Sequence, residues 1–129
     1  MGSRFIASKE SEFHENFKNI VPPAKAQDTI YVTGVLAPIR LWKNEYSLHH
    51  DLVASKEEKM AMEKGLTLED MFKINKAYEI AYEGDITDGA VPLGQSIGVI
   101  NSIEKVSDIV DSIISNAEKY LKNAVNSIK

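Results

Sequence analysis

No cysteine occurs in this 129-residue sequence. That excludes a disulfide scaffold, a thiolate nucleophile and a thiolate-bound metal. Long apolar runs are also missing: nothing approaches the roughly 20 residues that span a bilayer. The first residues carry one arginine and no long apolar stretch, so a signal peptide is not expected and the cytoplasm is the default location. Basic clusters are absent too. No run of Lys or Arg exceeds two residues, and 15 basic side chains face 19 acidic ones for a net charge of −4. A nucleic-acid partner normally requires a basic patch, so neither nucleic acid nor membrane is an expected partner. There is no internal repeat, low-complexity tract or obvious linker.

What is present reads as a single globular unit, with 43% apolar and 26% charged residues. Ser8 is placed to cap a helix over 9–21, with Glu10 and Glu12 in its first turn and Phe13, Phe17, Ile20 and Val21 at helical spacing. Pro22-Pro23 ends it. The period then changes to two. Ile30 and Val32, then Ile39 and Leu41, predict two short strands forming a ribbon, with Pro38 keeping the second near an edge. Residues 45–54 are a short helix or an irregular segment.

Ser55 with Glu58 forms a capping box for a helix over 56–64 that Gly65 stops. Thr67 opens another, through Leu68, Met71, Phe72, Tyr78, Ala81 and Tyr82 to Gly84. The stretch GDITDGAVPLGQSIG at 84–98 holds four glycines and a proline, which predicts a structured loop. Asn101 and Glu104 suggest a capping box for the last helix. That helix carries a stripe of Ile103, Val106, Ile109, Val110, Ile113, Ile114, Ala117, Leu121, Ala124, Val125 and Ile128. The class is α+β, mostly helical. Full burial of such a stripe contributes at most about 1.5–3 kcal/mol per large side chain. The sum exceeds a net domain stability of about 5–15 kcal/mol, so the stripe must face something. An ordinary core helix is the expectation; a second copy of the chain or a barrel outside this sequence are the alternatives.

Few residues offer chemistry. Gly2-Ser3 precede a helix start, where backbone N–H groups attract phosphate; a frayed terminus is the competing reading. His14 lies beside an apolar face with only Glu10 and Lys18 near it, and reads as a packing or surface histidine. His49-His50-Asp51 are adjacent and point in different directions, so no metal site is expected there. Glu83, Asp85 and Asp88 lack the alternating ligands of a calcium loop, leaving turn chemistry around Asp88-Gly89. Gln95, in LGQSIG, either meets a ligand's polar edge or stabilises its loop.

Three segments together resemble one family. Gly2-Ser3-Arg4-Phe5, Glu10-Ser11 and His14-x-x-Phe17-Lys18 are similar to the Gly-Thr-Arg-Phe segment and its sequel in nitronate monooxygenases, formerly called 2-nitropropane dioxygenases. The flavin-dependent enoyl-ACP reductases share it. Asp28-Thr29, Thr33-Gly34 and Pro38-x-Arg40-x-x-Lys43-Asn44 resemble a middle stretch of that family. Glu83-Gly84-Asp85, Gly89 and Gly94-Gln95-x-x-Gly98-x-Ile100 resemble its late glycine-rich signature. The order is right, and the likeness covers most of the chain apart from 45–75.

The resemblance implies an FMN-binding (β/α)8 barrel with a small inserted substrate domain. Such barrels run to about 250 residues, so the chain is expected to be a C-terminal fragment. Met1–Arg4 would match the exit of the eighth strand. Residues 1–27 would be that exit and a helix, 28–83 mainly the insert, and 84–129 the return loop and last helix, packed outside the barrel. Gly2 and Ser3 fall on the family's Gly-Thr that holds the FMN phosphate, and Gln95 lies on the loop returning to the barrel mouth. Gly2, Ser3 and Gln95 are thus the expected cofactor-binding residues. No catalytic residue is expected here, because the family's catalytic histidine lies upstream, and His14 matches one in the inserted region. The implied activity is oxidation of alkyl nitronates with dioxygen, not expected of the chain by itself. Reduction of an enoyl-ACP on the same scaffold, and a non-catalytic self-associating remnant, are the alternatives. Expected partners are an upstream barrel portion or companion chain, a small-molecule substrate in the complete enzyme, and a further copy in a homo-oligomer.

Overall fold

The computed structural model describes residues 1–33, 38–49 and 55–127. In chain order it contains α1 (Gly2–Ile6), α2 (Glu15–Asn19), a 3-10 turn (Ala26–Asp28), β1 (Thr29–Thr33), β2 (Pro38–Trp42), α3 (Glu45–His49), α4 (Lys56–Gly65), α5 (Leu68–Tyr82), a second 3-10 turn (Gln95–Val99) and α6 (Val106–Ser127). It is mostly helical with one two-stranded antiparallel sheet. Among the described residues no helix is long and apolar enough to cross a membrane.

Elements whose ends are closed by near neighbours in sequence match expectation. Ser55 Oγ accepts from Glu58 N at 3.1 Å while Glu58 Oε2 accepts from Ser55 N at 3.1 Å. Thr67 and Asp70 repeat this at the start of α5. Helix α4 continues one residue further than its expected end, through Gly65. The ribbon pairs Thr29 with Trp42 and Val32 with Ile39. Its apolar face buries Val32 and Leu41, as the period-two pattern requires. Helix α3 resolves the ambiguity at 45–49: Asn44 and Ser47 cap each other reciprocally, each bond 2.9 Å. His50 and Asp51 lie outside the described residues.

The expected helix over 9–21 is not one helix. Ser8 does not cap it: its Oγ donates to Phe5 O at 2.8 Å, and its backbone bridges Glu104. His14 is the N-cap of the short α2, its Nδ1 accepting from Asn16 N at 3.1 Å. The apolar residues keep their purpose. Phe13 meets Phe17 edge-on at 4.8 Å and Tyr82 at 5.0 Å. Phe17 and Val21 join Ala7, Ala24, Ala81, Val91, Leu93, Ile97 and Ile100 in the core. The periodicity reported burial correctly, but backbone bonds to distant residues broke the helix.

The last helix starts differently too. Asn101 and Glu104 form no capping box. Val106 N instead donates to Glu10 Oε2 at 3.0 Å, a carboxylate from the other end of the chain that also complements the helix dipole. The expectation of an ordinary core helix fails: Ile109 is buried, but every residue from Val110 to Ser127 is exposed.

The loop at 84–98 is built as a structured turn, but Asp85 organises it, where Asp88 was expected. Asp85 Oδ1 accepts from Thr87 N at 3.0 Å and Asp88 N at 2.9 Å. Gly84 sits at φ +110, and a Cβ there would collide with the His14 ring. A Cβ on Gly89 would strike the Asp85 carbonyl and Ala81. Gly84→Ala should therefore lower unfolding free energy by about 1–3 kcal/mol. Gly65, with open space around its Cβ position and no left-handed φ, should tolerate Ala with a gain of up to about 1 kcal/mol. Thermal unfolding of both variants checks the pair.

Candidate functional site

The N-terminal turn and the glycine-rich loop lie 91 residues apart in sequence and meet directly. Ser3 is 8% exposed, and its Oγ accepts from Gly94 N at 2.9 Å. Gly94 caps the 3-10 turn that begins with Gln95, whose side chain is exposed. Gly2, Ser3 and Gln95 are thus gathered into one region of the fold. At Gly2 a Cβ would meet nothing within 4 Å, so the protein's own packing does not demand glycine there.

The donors suit an anion. Gly2 and Ser3 open α1, and N–H groups at a helix start have no acceptor within the helix. Ser3 Oγ already accepts one bond, so its own hydrogen is left to donate. Two amides and a hydroxyl form a donor set that can take an anion's oxygens, and the exposed Gln95 belongs to the adjoining turn.

Arg4 stands next to this turn but faces elsewhere. Its Nη1 donates to Ser102 O at 2.6 Å, and its Nη2 pairs with Glu104 Oε2 at 2.5 Å. The Ser102 hydroxyl makes a short bond to the other oxygen of that carboxylate. The Ser102 bond first, and the Arg4 charge with it, hold the Glu104 carboxyl below its ordinary range. Lys9 N adds a bond to Glu104 O at 2.9 Å. A cleft of about 270 Å³ lies beside this cluster, lined by Arg4, Asn101, Glu104, Ile109 and Ile113 among others, and it touches neither Gly2, Ser3 nor Gln95.

The remaining sequence candidates are structural. His14 accepts through Nδ1 and packs against Gly84, which places the hydrogen of the neutral ring on Nε2. Asn44 anchors the ribbon to the glycine-rich loop, donating to Ile86 O at 2.9 Å and Gly89 O at 2.7 Å. Lys18 is 5% exposed, with Nζ 2.5 Å from Glu15 Oε1 and 3.3 Å from Ser11 O. Sequence reasoning missed the roles of Arg4, Glu10 and Asn44. Only Asn44 carried a local signal, an Asn three residues before a Ser at a helix start.

No family model matches the chain, and no curated protein does. Two solved structures of FabK from Thermotoga maritima are similar to it. One has a TM-score of 0.75 and 25% identity over 99% of this chain and 39% of that chain. The other, a point mutant, has a TM-score of 0.72 and 26% identity over 99% of this chain and 35% of that one. The chain therefore spans between a third and two fifths of the FabK chains it matches.

The Glu104 cluster sets a pH dependence. Its carboxyl titrates lower in the folded state than the usual 4.5, so the stabilisation is complete above about pH 4.5 and is lost as pH falls through the folded value. Glu104→Gln should lower the melting temperature by a constant amount above pH 5, and the gap to the parent should narrow below pH 4.5. A gap independent of pH down to 3 would refute the assignment.

Proposed function

We propose that this chain forms one wall of an FMN pocket in an oxidoreductase of the group that unites nitronate monooxygenases and flavin-dependent enoyl-ACP reductases. The observation that carries this reading is the meeting of Ser3 with Gly94 at 2.9 Å, because it joins the first and third motifs of the resemblance. The likeness to FabK over 99% of the chain supports it. The backbone N–H groups of Gly2 and Ser3, with the Ser3 hydroxyl, would hold the FMN phosphate. Gln95 would meet the polar edge of the flavin. When bound, the flavin supplies the redox chemistry.

This chain's contribution is binding and orientation. The Ser3–Gly94 bond fixes the distance between the phosphate end and the Gln95 turn, and the core residues Leu93 and Ile97 hold that turn rigid. A flavin needs both sides of its pocket, and the group that moves the substrate proton would come from a barrel portion or companion chain. In this proposal residues 1–27 and 84–129 form the wall, and 28–83 form most of the substrate insert. Nitronate oxidation with dioxygen is the first reading of the reaction. Enoyl-ACP reduction is the second, since the motifs are common to both and FabK supplies the similar structures.

FMN should bind weakly to the isolated chain and tightly once a barrel portion is supplied, as followed by flavin fluorescence. In that assembly Ser3→Ala should weaken FMN about tenfold, or roughly 1.4 kcal/mol. Riboflavin, which lacks the phosphate, should lose less than FMN, since it feels only the loss of the Ser3–Gly94 bond, and an equal loss for both ligands would sink the phosphate assignment. Flavin absorbance during turnover with a nitronate or with an enoyl thioester separates the two reactions.

A further inference from the structure

Helix α6 lacks a cap of its own. Lys105 O accepts from Ile109 N at 3.1 Å, which puts Lys105 at the capping position. A lysine side chain offers no acceptor, and its charge opposes the positive end of the helix dipole. The N-terminal segment supplies what is missing. Glu10 Oε2 accepts from Val106 N at 3.0 Å. Just before the helix, Lys9 N donates to Glu104 O at 2.9 Å and Ser8 bridges Glu104. Arg4 donates to Ser102 O at 2.6 Å and pairs with Glu104 Oε2 at 2.5 Å. With the buried Ile109, these contacts fix the first turn of α6.

Little else holds the helix. From Val110 to Ser127 every residue is exposed. The stretch is rich in β-branched, Ser and Asn residues, which form helices less readily than Ala or Leu. Lys122 and Glu118 pair at 3.9 Å on its surface, and an exposed pair contributes little. Forming the first turn is the costly step of helix formation, and later residues add to it easily. In α6 that first turn is held from outside, by residues at the other end of the chain.

We propose that residues 1–10 act as a clasp that makes the order of α6 conditional on their docking. The segment is fastened at two points. Ser3 Oγ accepts from Gly94 N at 2.9 Å, on the return loop, and Glu10 reaches Val106. Between them, Ala7 and Ser8 are buried, so the segment moves as one piece. Loosening it at Ser3 therefore weakens the cap at Glu10 and frees α6. The coupling is reciprocal: whatever steadies the Gly2–Ser3 turn steadies α6, and whatever orders α6 steadies the turn. It rests on contacts within the chain and is read without ligand, so it stands apart from the flavin reading.

Hydrogen exchange on the full chain, followed by mass spectrometry, tests the clasp. Glu10→Ala should speed exchange across Val110–Ser127 about fivefold. Glu10→Gln, which keeps an oxygen acceptor, should restore most of the protection. Glu12→Ala removes an equal charge from a carboxylate that accepts from the Tyr82 hydroxyl, and should leave α6 unchanged. Ser3→Ala should speed exchange of the same stretch about threefold, and should add nothing in a chain that already carries Glu10→Ala. The C-terminal half of α5, where Ala77 and Ala81 are buried, should keep its protection in every variant, which shows that the core is intact. Unchanged α6 exchange in Glu10→Ala or in Ser3→Ala overturns the proposal. So does a Ser3→Ala effect that persists in full beside Glu10→Ala, since it reaches α6 by another route, or an α6 that already exchanges freely in the parent.

Discussion

The structure depends on the docking of the first fifteen or so residues against the return loop and the entry to α6. Ser3 binds Gly94, Arg4 binds Ser102 and Glu104, Lys9 binds Glu104, and His14 N donates to Tyr82 O at 3.2 Å. Each bond joins segments some 70 to 100 residues apart. Closing so long a loop costs chain entropy, and the apolar cluster of Ala7, Phe17, Val91, Leu93 and Ile97 offsets it. The polar contacts then set the alignment. Without this closure the donors at Gly2 and Ser3 and the carboxamide of Gln95 would have no defined relation.

The three sequence motifs acquire a physical meaning from this arrangement. Most of their residues shape the fold. Arg4 clasps the loop before α6, His14 caps α2, Phe17 fills the core, and Asn44 ties the ribbon to Ile86 and Gly89. Gly84 and Gly89 admit close approach of His14 and Asp85. A resemblance carried by such residues speaks first to architecture, which agrees with the similarity to FabK structures in fold at 25–26% identity. Gly2, with its open Cβ position, and the exposed Gln95 are left over from this structural set.

Legibility in the sequence followed the range of the interactions. The box at Ser55, the helix start at Thr67, the ribbon and the special loop were all readable, because their partners lie within a few residues. The expected helix over 9–21 and the expected cap at Asn101 were not. Ser8, Glu10 and Glu104 look like capping residues for their neighbours, but their bonds go to Phe5, Val106 and Arg4. A carboxylate two or three positions into an apolar run has the same local signature whether it caps that run or another one. Periodicity still named the buried side chains correctly at Phe17 and Val21, since burial depends on which face is apolar and not on whether the helix is continuous.

By itself the sequence determined the mostly helical class, the ribbon, the caps of α4 and α5, and the exclusion of thiol chemistry, because composition and short-range spacing suffice for each. Only the tertiary structure decided that Ser3 and Gly94 share a bond, that Glu10 serves α6, and that the most amphipathic helix leaves its apolar stripe open. Those outcomes are set by which distant donors and acceptors come within about 3 Å of one another, and a linear pattern carries no record of that distance.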